Sequence, residues 1–359
     1  MNYYIRILCC CLFLMAFSAK TGDRNKKSHP KKIILMIGDG MGVAQIYAGL
    51  TANKGHLNLE QCTTIGFHKN QSSDNYVTDS AAGATAFACG EKTYNGAIAV
   101  DVDKKPLRTI LEIAEKNGLA TGLVATCSST HATPACFIAH EPSRSMDEAI
   151  ANDFLKTDID VFIGGGRKFF EKRADGKNLI DSLKAKNYQI ANSIDEVVKI
   201  SKGKLAAFLA DEQQPKLSEG RGDQLVKSTE TTLRILNQNA KGMFMMIEGS
   251  QIDWGGHAND TQYIINEMLD FDSAVGKVLE FAKKDGNTLV IITADHETGG
   301  FSLNGGDIKT GRVDGKFTTK DHTGVMIPVF AFGPGAESFA GIYENTAIFH
   351  KMLSAFNFK

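Results

Sequence analysis

Short apolar runs recur along this chain, and most stop abruptly at glycine or at a polar residue with chemistry to offer. Residues 31–37 (KKIILMI) run straight into Gly38-Asp39-Gly40-Met41-Gly42. Residues 119–126 lead to Ser128-Ser129-Thr130-His131, 158–163 to Gly164-Gly165-Gly166, and 242–247 to Glu248-Gly249-Ser250. Residues 288–293 lead to Asp295-His296, and 327–332 to Gly333-Pro334-Gly335; one more short run covers 204–209. Runs of this length bounded by glycine predict buried strands. Between them, 107–116, 224–237, 260–282 and 346–353 predict helices. In the longest, Ile264, Met268, Phe271, Val275 and Val278 share one face. Such alternation predicts an α/β fold, a three-layer α/β/α sandwich around a large, mostly parallel sheet. Sheets of this kind bind ligands beyond the carboxyl ends of their strands, which is where the polar residues fall here. Residues 299–321, polar and glycine-rich, read as a hairpin or surface excursion. No internal repeat and no second hydrophobic domain is visible.

A chain of 359 residues can bury a core without disulfides or metals. Its beginning reads as a signal peptide over residues 1–19. Arg6 supplies positive charge, 7–17 are apolar, and Ala16-Phe17-Ser18-Ala19 offers small residues for cleavage. The run is too short to span a bilayer, so no stable membrane insertion is expected. Residues 20–31 read as a linker and 32–359 as a single domain. Export would leave the protein secreted or periplasmic, in an oxidising compartment. Cys62, Cys89, Cys127 and Cys136 then allow three full pairings, or remain small buried thiols; the sequence leaves both open. A net charge of −1 gives no reason to expect a nucleic-acid partner. Arg221-Gly222-Asp223 matches an adhesion tripeptide and reads as chance.

Val77-Thr78-Asp79-Ser80-Ala81-Ala82-Gly83 puts one serine between an acid and a run of small, helix-compatible residues. At a helix N-terminus, Ser80 would meet free N–H groups and the positive end of the dipole. By itself this is an ordinary N-cap pattern. Its meaning changes beside the strand ends, which with His322 bring Asp39, Glu248, Asp253, Asp295, His257 and His296 toward one edge. Nitrogen and carboxylate donors suit zinc, and an oxygen-only set suits magnesium. With Ser80 and the Thr133 hydroxyl, these residues suffice for two zinc sites and one magnesium site. A two-metal site clamps the attacking and leaving oxygens of an in-line phosphoryl displacement. Arg144 can offer a planar fork to two nonbridging oxygens.

The motifs Gly38-Asp39-Gly40-Met41-Gly42, Thr78-Asp79-Ser80-Ala81-Ala82-Gly83-Ala84-Thr85-Ala86 and Thr130-His131-Ala132-Thr133-Pro134-Ala135 occur in that order. Glu248-Gly249-Ser250-Gln251-Ile252-Asp253-Trp254-Gly255-Gly256-His257, Ala294-Asp295-His296-Glu297-Thr298-Gly299-Gly300 and His322-Thr323-Gly324 follow. Together the six closely resemble the motifs of the alkaline phosphatases, especially the compact bacterial forms. The resemblance implies an alkaline-phosphatase-like catalytic domain over 32–359 and hydrolysis of phosphate monoesters through a phosphoserine on Ser80. It implies Asp253, His257 and His322 as ligands of one zinc, and Asp39, Asp295 and His296, with Ser80, as ligands of a second. It implies Asp39, Thr133 and Glu248 around magnesium, Arg144 on the phosphate, and a homodimer.

Two positions depart from the enterobacterial form: His131 stands for an aspartate and Trp254 for a lysine. The expectation is that His131 orients a magnesium-bound water, and that Trp254 holds product phosphate less tightly. Asp79 reads as a helix cap or a support for Arg144, not as the activating base. The rival readings are a phosphodiesterase or sulfatase of the same superfamily, and a non-enzymatic metal-binding or adhesion protein on the same fold. Ser80 lies in Asp-Ser-Ala rather than Gly-x-Ser-x-Gly, which disfavours a serine triad.

Overall fold

The computed structural model describes residues 29–358. The expected signal peptide and most of the expected linker lie outside these residues. Fourteen strands are numbered in chain order: β1 Lys32–Gly38, β2 Thr64–Lys69, β3 Ala120–Ser128, β4 Val161–Gly165, β5 Gln189–Ala191, β6 Leu205–Phe208 and β7 Met243–Gly249. They continue as β8 Thr288–Thr293, β9 Glu297–Thr298, β10 Ser302–Asp307, β11 Arg312–Lys316, β12 His322–Thr323, β13 Ile327–Phe332 and β14 Gly341–Glu344. Ten form one sheet in the order β14-β2-β13-β8-β1-β7-β3-β4-β6-β5. β1 lies parallel to both β7 and β8 at the centre, and β13 runs antiparallel to β8 and β2.

The central strands are buried along their whole length, as a sheet covered on both faces requires. One apolar cluster joins Ile33, Leu35 and Ile37 of β1 to Phe87, Phe137 and Phe349; the other joins Ile34 and Met36 to Met268, Phe271 and Val275. Alternate β1 residues therefore feed opposite layers, in keeping with the period of a strand. The long helix Thr261–Asp285 begins at Asp260, whose carboxylate accepts from the Gln262 and Tyr263 N–H groups. Such a cap is worth about 1 kcal/mol.

Most expected elements occur within a few residues of their predicted ends. Residues 299–321 do form a hairpin, β10 against β11. β2, β5 and β14 were not expected; β2 reads Thr-Ile-Gly-Phe-His-Lys, with a glycine and alternating exposure that blur a strand pattern. All four cysteines in the described residues are free thiols; Cys89, Cys127 and Cys136 are buried and Cys62 is half-buried. Arg221 is fully buried and ion-paired to Glu267 and Asp270, so the adhesion-like tripeptide presents no accessible arginine. Among the described residues, no helix is long and apolar enough to cross a membrane.

Candidate active site

Three parallel strands deliver acids to one edge. Asp39 follows β1, Glu248 lies near the end of β7, and Asp295-His296 follow β8. The register sets Ile37 opposite Glu248 and Gly38 opposite Gly249, so these carboxylates arrive at the same height. His322 comes from β12, at the start of the chain's approach to β13. Because β13 is antiparallel to β8, its beginning lies at the edge where β8 finishes. The short β12–β9 ladder then sets His322 opposite Thr298. Gly40 has φ +75°, and a Cβ there would lie 2.6 Å from the Asp253 Cα. Glycine thus permits both the turn after Asp39 and the close approach of helix Gln251–His257, which carries Asp253, Trp254 and His257.

Ser80 is the first residue of the buried helix Ser80–Cys89, and Asp79 caps it by accepting from the Ala82 N–H at 2.9 Å. The Ser80 hydroxyl lies 3.2 Å from His296 Nε2. The tautomer of His296 follows from its other side. Thr298 Oγ1 spends its proton on Asp253 Oδ1, so at 3.2 Å it must accept from His296 Nδ1–H. That leaves the Nε2 lone pair facing Ser80, Asp295 Oδ2 at 3.2 Å and Asp39 Oδ1 at 3.5 Å. Burial and the neighbouring His322 hold the His296 pKa well below its ordinary value.

The ligand-competent atoms fall into three groups, each spanning no more than 4.8 Å: Asp39, Asp295 and His296; Asp253, His257 and His322; and Cys127, His131 and Glu248. In the second group both histidines spend Nδ1–H on a backbone carbonyl, His322 on Thr78 at 2.9 Å and His257 on Lys320. Their Nε2 atoms converge at 3.2 Å, with Asp253 oxygens 3.3 and 3.5 Å away. Histidines oriented by carbonyls and aimed with a carboxylate at one point suit a metal ion. In the other groups, both Asp39 oxygens, Asp295 Oδ2, Glu248 Oε1 and Thr133 Oγ1 are buried without a hydrogen-bond partner. Buried acids are normally paired or bound to metal, so these donors fit cations.

The electrostatics agree. Burial, then Asp295, Asp253 and Glu248, push Asp39 well above the usual carboxylate range. Burial raises Glu248 to about 7 and Asp295 to about 6. Asp253 is held well below its ordinary value: the donors from His257 and His322 outweigh its burial. Beside this cluster, Arg144 donates from Nη1 to Asp79 Oδ2 at 2.9 Å and from Nη2 to His131 Nε2 at 3.3 Å. His131 meets Trp254 edge to face, with ring centroids 6.2 Å apart.

The sequence model of the alkaline phosphatase family matches residues 30–314 and 309–358. The chain belongs to that family. It is an enzyme that hydrolyses phosphate monoesters. Alkaline phosphatase 3 of Bacillus subtilis is 34% identical over 427 residues, covering 95% of this chain and 92% of that protein. The Escherichia coli alkaline phosphatase is 34% identical over 408 residues, covering 92% of this chain and 86% of that one. The solved alkaline phosphatase of the Antarctic bacterium TAB5 is 45% identical, with a TM-score of 0.88, covering 93% of this chain and 100% of that one. A histidine-to-aspartate variant of the Antarctic enzyme has been solved with Mg bound in its M3 site.

Sequence reasoning missed several residues that shape this phosphatase's site. Cys127, read only as a disulfide candidate or a buried thiol, places Sγ 3.3 Å from Glu248 Oε2. Thr298 ties His296 to Asp253, and Glu297 accepts from Gln45 at 2.8 Å and from Thr323, fixing the β9–β12 ladder. The adjacency of Glu297 and Thr298 to Asp295-His296 was the available signal.

Proposed function

We propose that this phosphomonoesterase works through a phosphoserine on Ser80 and takes two zinc ions and one magnesium ion as cofactors. Asp253, His257 and His322 would hold the first zinc, and Asp39, Asp295 and His296 the second. Asp39, Thr133 and Glu248 would hold the magnesium. When bound, these ions supply positive charge to the attacking and leaving oxygens and lower the pKa of water. Ser80 Oγ, placed beside the His296 that would hold the second zinc, attacks phosphorus; the Oγ–P bond forms as the ester P–O bond breaks, and the alcohol leaves with the Ser80 proton. Arg144, steered by Asp79, presents its remaining N–H groups to the nonbridging oxygens. Water then attacks the phosphoserine from the vacated side, the Oγ–P bond breaks, and Ser80 regains its proton as phosphate departs.

The observation that carries this reading is the 3.2 Å approach of the Ser80 hydroxyl to His296 Nε2 among buried acids with unpartnered oxygens. The test is hydrolysis of p-nitrophenyl phosphate by wild type and Ser80→Ala, after chelation and restoration of zinc and magnesium, with acid-quenched labelling by radioactive phosphate. The expected result is label on the Ser80 peptide of wild type and none in the variant. An active, metal-loaded wild type with no label there, or a variant as fast as wild type, overturns it.

We also infer an exported homodimer, secreted or periplasmic, acting on small phosphate monoesters. The N-terminal sequence supports export and the family resemblance supports the dimer. N-terminal sequencing of the mature chain and sedimentation analysis test the two points.

A further inference from the structure

We infer that Asn95 is a positioning residue for the hydrolysis: its carboxamide sets Ser80, Arg144 and His322 relative to one another by gripping the three residues that precede the serine. The inference rests on the roles proposed above for those three side chains, and it concerns what holds them in register.

Asn95 Nδ2 donates to the Val77 carbonyl at 3.0 Å, and Asn95 Oδ1 accepts from the Asp79 N–H at 3.0 Å. The two bonds close on either side of Thr78, so one side chain holds Val77-Thr78-Asp79 at both ends. Each part of that segment serves the site. The Thr78 carbonyl accepts from His322 Nδ1–H at 2.9 Å. The Asp79 carboxylate caps the Ser80 helix with one oxygen and takes Arg144 with the other. Ser80 is the next residue along, its Oγ 3.2 Å from His296 Nε2.

The anchor is itself tied to the stretch of chain that carries the arginine. The Asn95 N–H donates to Asp74 Oδ1 at 3.1 Å, and the Gly96 carbonyl accepts from the Arg144 N–H at 2.8 Å. Tyr94 donates its hydroxyl to the Pro142 carbonyl at 2.9 Å, and Ile98 and Glu141 exchange both backbone bonds at 3.0 Å. Residues 94–98 and 141–144 are therefore joined, and Asn95 reaches from them to the segment before Ser80. Asparagine suits the task because one head carries both a donor and an acceptor, and here it meets a C=O with one and an N–H with the other. An aspartate of the same shape keeps the acceptor and lacks the donor. Reacting groups displaced by about 1 Å lose about 100-fold in rate, so a clamp on this segment acts on the reaction without touching substrate.

The test compares wild type with Asn95→Asp and Asn95→Ala, each as the full-length enzyme loaded with zinc and magnesium. It reads kcat for p-nitrophenyl phosphate and the inhibition constant for inorganic phosphate, at a temperature well below each measured melting point. In both variants kcat should fall about 10- to 100-fold and the inhibition constant should rise about 10-fold, because serine and arginine lose their common frame. Chelator should also strip zinc faster, because His322 loses its fixed carbonyl. A purely structural role would lower the melting temperature and leave both kinetic constants at wild-type values. That result overturns the inference, and so does a change in only one of the two constants or failure of both variants to fold. Acid-quenched labelling with radioactive phosphate separates this from failure of the phosphoserine reading. An active wild type with no label on Ser80 removes both, whereas a labelled wild type beside kinetically normal variants removes only the role of Asn95.

Discussion

Arg144 Nη1 lies 2.9 Å from Asp79 Oδ2, and the other oxygen of the same carboxylate caps the Ser80 helix through the Ala82 N–H. One side chain therefore fixes the Ser80 helix and Arg144. The two tasks separate by substitution. Asp79→Asn keeps an amide oxygen able to cap but loses the charge that holds Arg144. It should leave the melting temperature near wild type and raise KM for p-nitrophenyl phosphate about 10-fold, the loss of one charge-assisted hydrogen bond. Asp79→Ala should do the same and also cost about 1 kcal/mol of stability. A KM unchanged in both variants would separate Asp79 from phosphate binding.

Gly83 lies one turn into the Ser80 helix, where a Cβ would stand 3.0 Å from Asp295 Cβ. In most helices Gly→Ala stabilises by about 1 kcal/mol. Here the added methyl presses on a residue proposed to hold zinc, and overpacking costs about 1–3 kcal/mol. Gly83→Ala should therefore give no rise in melting temperature and weaker retention of zinc under chelation. A more stable variant with full metal content would show that the helix yields at no cost to the site.

Among the residues proposed to hold metal, the shifts that matter above pH 6.5 share one sign. His257 is raised to about 9, chiefly by its hydrogen bond with Asp253, and His322 is raised as well, because Asp253 and the Thr78 carbonyl outweigh its burial. Glu248 is raised to about 7 by burial. Each group holds a proton more tightly folded than unfolded. Its contribution is present below the unfolded pKa and fades as pH climbs through the folded one. The chelated protein should lose melting temperature steadily from pH 6.5 to 9. Metal replaces those protons, so the zinc- and magnesium-loaded protein should change less and the gap should widen with pH. Parallel curves from scanning calorimetry would contradict this.

How much of this was legible in the sequence depends on distance along the chain. Asp39, Glu248 and Asp295 could be placed because each sits just past or within the end of a strongly apolar strand, and the parallel sheet brings those ends together. His322 was legible as a residue before a strand, but its arrival at the site depends on β13 running antiparallel, which apolar patterning does not encode. Cys127 was hidden for another reason. It is a small buried residue in a fully buried strand, and only the pairing of Ala125 with Glu248 across β3 and β7 reveals that its sulfur meets a carboxylate. Hydrogen-bond partners such as Thr298, and the tautomers they impose, are fixed by geometry that no residue spacing specifies.

Trp254 offers the sharpest check on how product is held. It stands on the helix that carries Asp253 and His257, edge to face with His131 at 6.2 Å, while Arg144 donates to Nε2 of the same imidazole. An indole has one N–H donor and no charge, so it can hold phosphate only weakly, whereas an ammonium at the same position adds a charge-assisted contact directly or through water. Trp254→Lys should therefore lower the inhibition constant for inorganic phosphate about 10-fold, the equivalent of one hydrogen bond to a charged group. If release of phosphate limits turnover, kcat should fall in the same variant. Trp254→Phe separates this effect from lost packing, because it removes the N–H but keeps a ring against His131. Its inhibition constant should stay near wild type. An inhibition constant for Trp254→Lys equal to that of wild type would mean that position 254 does not reach the phosphate.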